Sequence, residues 1–197
     1  MTLPITREQA IEFLKSMPQQ DSDMNHYIET EAIMKNLAKH FNLDEEEQNY
    51  WAMIGLLHDV DWSLTKDNWK EHCVKAQEIL KNKGFDDKFI QIVQSHGYGY
   101  DEIPIFKDKQ RTEKIEHALI ASETLTGIIY AYALMRQKKI SDMELKGLKK
   151  KFKDKSFAAN CKRELVEEIE QIGITIDEFL DLSMNALKSI KEEIGLE

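Results

Sequence analysis

Residues 52–57, Ala-Met-Ile-Gly-Leu-Leu, form an unbroken apolar run that ends in His58-Asp59. A fold that buries this run carries an imidazole and a carboxylate to the edge of its core. A buried carboxylate without a partner is costly, so it neutralises or finds a cation. The fold must therefore bring something to Asp59. Upstream, Trp51, Ile54 and Gly55 share one side with His58 at helical steps, so the run reads as the inner stripe of a helix.

The same period recurs along the chain. Its 197 residues include only eight glycines and three prolines, too few for a turn-rich β architecture. Nowhere do β-branched residues alternate for long enough to support a strand. Capping-box patterns at Thr6 with Gln9, Asp44 with Glu47, Ser141 with Glu144 and Thr175 with Glu178 mark helix starts. The pattern predicts an all-α chain with helices over 6–16, 24–42, 44–60, 67–83, 86–95, 112–137, 142–152, 156–172 and 176–194, each end placed to about 2–4 residues. The segment 97–111, with Gly97, Gly99 and Pro104 among Tyr98, Tyr100 and Phe106, is the longest irregular piece. A long loop in a compact domain is often functional. A lysine-rich stretch, Lys146 to Lys155, separates a core domain (1–140) from a C-terminal helical extension (141–197) expected to pack on it.

The net charge of −9 argues against general nucleic-acid binding. A small anionic substrate is compatible with it, because a metal ion and a few lysines reverse the field locally. Cys73 and Cys161 form no C-x-x-C pair and read as reduced thiols of a cytoplasmic protein. The first ten residues lack an apolar signal-peptide region, and no run approaches 18 uncharged apolar residues, so neither a signal peptide nor a membrane span is expected.

Four of the six histidines sit on apolar helical stripes. His26 lines up with Thr30, Ile33 and Leu37, and His58 with Ile54. His72 lines up with Ala76, Ile79 and Leu80, and His96 follows Phe89, Ile92 and Val93. Glu123 interrupts the stripe Ile115, Leu119, Thr126, Tyr130, which predicts a buried carboxylate. Singly, each has an ordinary explanation: a satisfied core histidine, a histidine at a helix C-terminus, a carboxylate paired with a lysine. Together they point to a divalent metal centre assembled from several helices. His40 and His117 lie beside charged neighbours and are assigned no role.

The order His26, His58-Asp59, His72, His96 and a later acidic residue resembles the HD superfamily of metal-dependent phosphohydrolases. The resemblance covers about residues 20–137 and rests on Leu-Leu-His-Asp-Val-Asp, His-Cys-Val-Lys-Ala-Gln-Glu-Ile-Leu and Ile-Val-Gln-Ser-His. Glu123 stands where the family usually has aspartate. The resemblance implies an HD-type helical bundle holding one or two divalent transition-metal ions (Fe, Mn, Zn, Co or Ni). Its implied ligands are His26, His58, Asp59, His72, His96 and Glu123, with Asp59 and His58 at the catalytic centre. A carboxylate offers one oxygen to each of two ions, so Asp59 is the natural bridge. The implied reaction is hydrolysis of a phosphomonoester or phosphodiester, a nucleotide above all. A di-iron oxygenase and a non-catalytic nucleotide-binding domain are the other readings. Lys150, Lys153 and Tyr98 are the expected substrate contacts, with Trp62 and Tyr100 as further stacking candidates.

Overall fold

The structure is a computed structural model that describes residues 2–197. Its helices are α1 (Arg7–Lys15), α2 (Asp21–His40), α3 (Glu45–Leu57), α4 (Trp62–Thr65), α5 (Lys75–Asn82), α6 (Asp87–Gln94), α7 (Lys114–Met135), α8 (Leu145–Lys153), α9 (Arg163–Val166) and α10 (Ile176–Ser189). Short 3₁₀ turns occupy Trp69–Glu71, Ser95–Gly97 and Glu167–Ile172. Among the described residues there is no strand, and the fold is all-α.

Helix α7 is the axis. Leu119, Leu125, Ile128 and Ile129 are fully buried, and its apolar residues go round the helix, as a core helix requires. By length and composition alone α7 is apolar enough to cross a membrane; here most of it is buried inside the bundle. Helix α2 packs against α3, α7 and α10 through Tyr27, Ile33, Met34 and Leu37. Val166, Ile169, Phe179 and Leu187, from beyond residue 140, join the same buried cluster. The C-terminal helices therefore share the main core.

The boxes at Thr6 and Asp44 form, and Thr175 accepts from the Glu178 amide. The Ser141 box does not form. Helix α8 starts at Leu145, and the Ser141 amide donates to the Glu197 carbonyl. Helix α3 stops at Leu57 and α10 at Ser189, short of their expected ends. The expected helix 67–83 is broken. His72 is extended and Cys73 is left-handed (φ 63°), so α5 begins only at Lys75. The reason is remote in sequence: the Asp61 carboxylate accepts from the Ala76 amide at 3.1 Å and satisfies the start of α5 from outside. The expected helix 156–172 is also absent over 156–162, where the chain loops around Arg163.

Gly55 sets the spacing of α2 and α3. A Cβ there would lie 2.8 Å from the Thr30 carbonyl oxygen and 2.9 Å from the Glu31 amide nitrogen. These are backbone atoms and cannot rotate away. Gly55→Ala is expected to destabilise the protein by about 1–3 kcal/mol, read by denaturant unfolding. An unchanged midpoint would show that α2 shifts freely.

Glu29 on α2 is 3% exposed, and its Oε1 has no hydrogen-bond partner among the described residues. Burial pushes its carboxyl up to about 8 from an ordinary 4.5. Within that window the native state keeps a proton that the unfolded state has released, so Glu29 lowers stability as pH rises from about 4.5 to about 8. Glu29→Gln should match wild type near the bottom of the window and melt progressively higher than it towards the top. Parallel melting curves against pH would contradict this.

Candidate metal centre

Five local structures deliver the cluster. His26 lies in the second turn of α2, His58 caps the C-terminus of α3, and Asp59 follows it. His72 sits in the turn before α5, His96 in the 3₁₀ turn after α6, and Glu123 midway along α7. His58 is fully buried, His72 and His96 are 5% exposed, and Glu123 is half-buried.

Each imidazole is held through Nδ1. His58 Nδ1 donates to the Gly55 carbonyl at 2.8 Å, and His96 Nδ1 to the Val93 carbonyl at 2.6 Å. His72 Nδ1 lies 3.1 Å from the fully buried Asp61 carboxylate. His26 Nδ1 lies 2.9 Å from Thr126 Oγ1, whose own proton goes to the Glu123 carbonyl at 2.6 Å. The hydroxyl must therefore accept from His26. With every Nδ1 a donor, each ring in its neutral form presents a bare Nε2 to the interior. This is how proteins orient histidines toward a metal.

The Nε2 atoms meet in two pairs. His26 and His58 are 3.1 Å apart, and His72 and His96 are 3.3 Å apart. Two lone pairs at that distance repel unless positive charge lies beside them. Donors sharing one ion at about 2.1 Å stand about 3.0–3.4 Å apart, so the spacing fits a cation in each pair. Asp59 stands between them. Its Oδ2 is 3.5 Å from His58 Nε2 and 3.8 Å from His26 Nε2, and its Oδ1 is 3.2 Å from His96 Nε2 and 3.5 Å from His72 Nε2. Glu123 brings an oxygen within 4.8 Å of the His26 and His58 nitrogens, and Cys73 brings its sulfur within 4.8 Å of those of His72 and His96.

The histidines differ electrostatically: against burial, Asp61 and Cys73 push His72 up to about 10, and Cys73 and Asp59 push His96 well above the ordinary imidazole value. Burial opposes charging of His58 and pushes it down to about 3, a neutral ligand at neutral pH. Burial also opposes the Asp59 carboxylate, yet the surrounding histidines hold it well below the usual range. Burial raises Glu123. The centre carries negative charge that only nearby cations sustain.

The family model for the HD domain matches residues 24–124. The chain belongs to the HD domain family. The matched span opens just before His26 and closes just after Glu123, so it contains every residue of the cluster. Neither the curated proteins nor the solved structures contain a match to this HD-domain chain.

Beside the cluster lies a cavity of about 570 Å³, lined by His26, Glu123, Tyr100, Asn160 and Lys162 among others. A smaller space of about 130 Å³ touches Asp59, His72 and His96 and shares Trp69, Tyr100 and Glu123 with the larger one. Trp62 borders the smaller space, its ring 5.3 Å from that of His72. Tyr98 is turned away. It is buried against Phe106 in a small cluster with Ile103 and Cys73, and it borders a different groove beside Lys109. Lys150 and Lys153 are exposed on α8 and line neither cavity. His40 faces Glu178 and His117 faces Glu168, both outside the cluster.

Sequence reasoning missed Cys73, Thr126 and the strand of loop carrying Asn160 and Lys162. Thr126 had a signal: it shares the Glu123 stripe one turn on. Asp61 joins two parts of the site: its carboxylate lies against His72 Nδ1 and accepts from the Ala76 amide at the start of α5.

Proposed function

We propose that this HD-domain protein is a metal-dependent phosphohydrolase acting on a small phosphate ester, with a nucleotide as the favoured class. One observation carries the reading: the two oxygens of Asp59 face two separate imidazole pairs. Bound there, divalent ions would supply Lewis acidity and charge neutralisation for attack of water on phosphorus. His26, His58, Glu123 and one Asp59 oxygen would hold the first ion; His72, His96 and the other oxygen would hold the second. Mixed imidazole and carboxylate donors suit iron, manganese, zinc, cobalt or nickel.

The cavities divide the remaining work. The smaller space against Asp59 and His96 is sized for a phosphoryl group. The larger one, within the range of small-molecule sites, takes the organic part. Tyr100 supplies a ring for stacking, and Lys162 Nζ lies 4.9 Å from that ring's centroid, placing a cation at the same wall. This moves the expected substrate contacts from Tyr98, Lys150 and Lys153 to Tyr100 and Lys162. Two unpaired cysteines support a reducing compartment, hence the cytoplasm.

The test is elemental analysis of purified protein, then a phosphate-ester panel with the found metal restored. Lys162→Ala should raise KM for a nucleotide by about tenfold, while Lys150→Ala leaves it unchanged. Metal-loaded protein that hydrolyses no ester, but consumes oxygen with ferrous iron, would replace this reading with an oxidative one.

A further inference from the structure

We infer that Cys73 is a thiolate ligand of the second ion, which makes the two halves of the centre chemically unequal. The inference rests on the metal-centre reading above and adds a donor to it.

Cys73 is fully buried, so its thiol does not face solvent as a nucleophile or an exposed redox group. Its Sγ lies 3.3 Å from His96 Nε2. For metal–sulfur and metal–nitrogen bonds of about 2.3 and 2.0–2.1 Å, two donors on one ion stand about 3.1–3.6 Å apart. The sulfur therefore falls at ligand distance from the atom that His96 presents. His72, the preceding residue, presents its Nε2 to the same point, 3.3 Å from that of His96.

The backbone is arranged for this. Cys73 has φ 63°, a region that residues with a Cβ rarely adopt. The kink lets two adjacent side chains face one point, which a regular helix forbids. Two contacts hold it. Gln94 Nε2 donates to the Cys73 carbonyl at 3.0 Å, and Gly97 leaves the thiol its room, since a Cβ there would stand 2.7 Å from Sγ. Strain of this kind persists where the surroundings over-determine it, typically at functional sites.

The consequence is selectivity. The pair His26 and His58 with Glu123 and Asp59 offers nitrogen and oxygen only. His72, Cys73 and His96 with Asp59 offer a soft sulfur as well. Thiolate favours zinc, cobalt(II) or iron(II) over manganese or magnesium. With zinc and manganese both present, zinc should fill the cysteine half and leave manganese to the other.

X-ray absorption on wild-type protein loaded with one equivalent of zinc decides the point. We expect one sulfur at about 2.3 Å, and with cobalt(II) an intense near-ultraviolet thiolate-to-metal band. Both should vanish in Cys73→Ser, with at least about tenfold weaker zinc binding at one site, and both should survive in Cys161→Ser. A nitrogen-and-oxygen shell in wild type at one and at two equivalents overturns the inference, whether or not Cys73→Ser folds. So does a sulfur shell that persists in Cys73→Ser. Ester hydrolysis without a sulfur shell would remove this ligand and leave the hydrolase; a sulfur shell without hydrolysis would do the reverse. Protein that binds no ion removes both.

Discussion

Asp59→Ala is expected to lose tightly held divalent metal from both halves of the centre and to lower phosphate-ester hydrolysis by at least about 10²–10³-fold. The Asp59 carboxylate faces both imidazole pairs, with one oxygen at 3.2 Å from His96 and the other at 3.5 Å from His58. Alanine removes at once the oxygens that face the two imidazole pairs. It also removes the negative charge that the buried histidines surround. Metal content of protein purified in parallel, wild type against variant, is the direct measurement. His40→Ala is the matched control, since His40 lies 3.5 Å from Glu178 and outside the cluster. A variant at position 59 that keeps two ions would overturn the bridging role.

Arg163→Ala is expected to cost at least about 3 kcal/mol and lower Tm by about 6–12 °C. The guanidinium is 5% exposed and donates to six backbone carbonyls, those of Lys151, Phe152, Asp154, Phe157, Ala158 and Cys161. It replaces the secondary structure that this stretch lacks. The same loop carries Asn160 and Lys162 to the cavity wall. Loss of Arg163 should therefore raise KM together with the drop in melting temperature. Arg163→Lys should rescue little, because three donors on one nitrogen cannot serve carbonyls arranged around a planar fork. A lysine variant with wild-type Tm would show that charge alone organises the loop.

These residues also show what the sequence could disclose. Helical period placed His26, His58 and Glu123 on inner faces, because each belongs to a regular helix or its cap. The same rule fails at Cys73, where a left-handed residue ends the regularity that the rule assumes. The pattern at 67–83 looked helical because Ala76, Ile79 and Leu80 are periodic. The actual start of α5 is set by Asp61, fifteen residues from the amide it accepts, and local spacing carries no trace of such a contact. The break at 156–162 has the same origin in Arg163. The substrate lysines were drawn from a charge run, and charge runs are usually solvated faces. Lys162 reaches the cavity only because the loop around Arg163 turns it there.

Arg111 gives the C-terminal helices a second meaning. It donates to the Ser95 and Tyr98 carbonyls on either side of His96, and it is clasped by Glu168 at 2.6 and 2.7 Å. Glu168 lies outside the matched span 24–124. The tail thus works as a splint on the stretch of chain that presents one histidine, and sequence drift in it would be felt at the histidine cluster without touching any of its members.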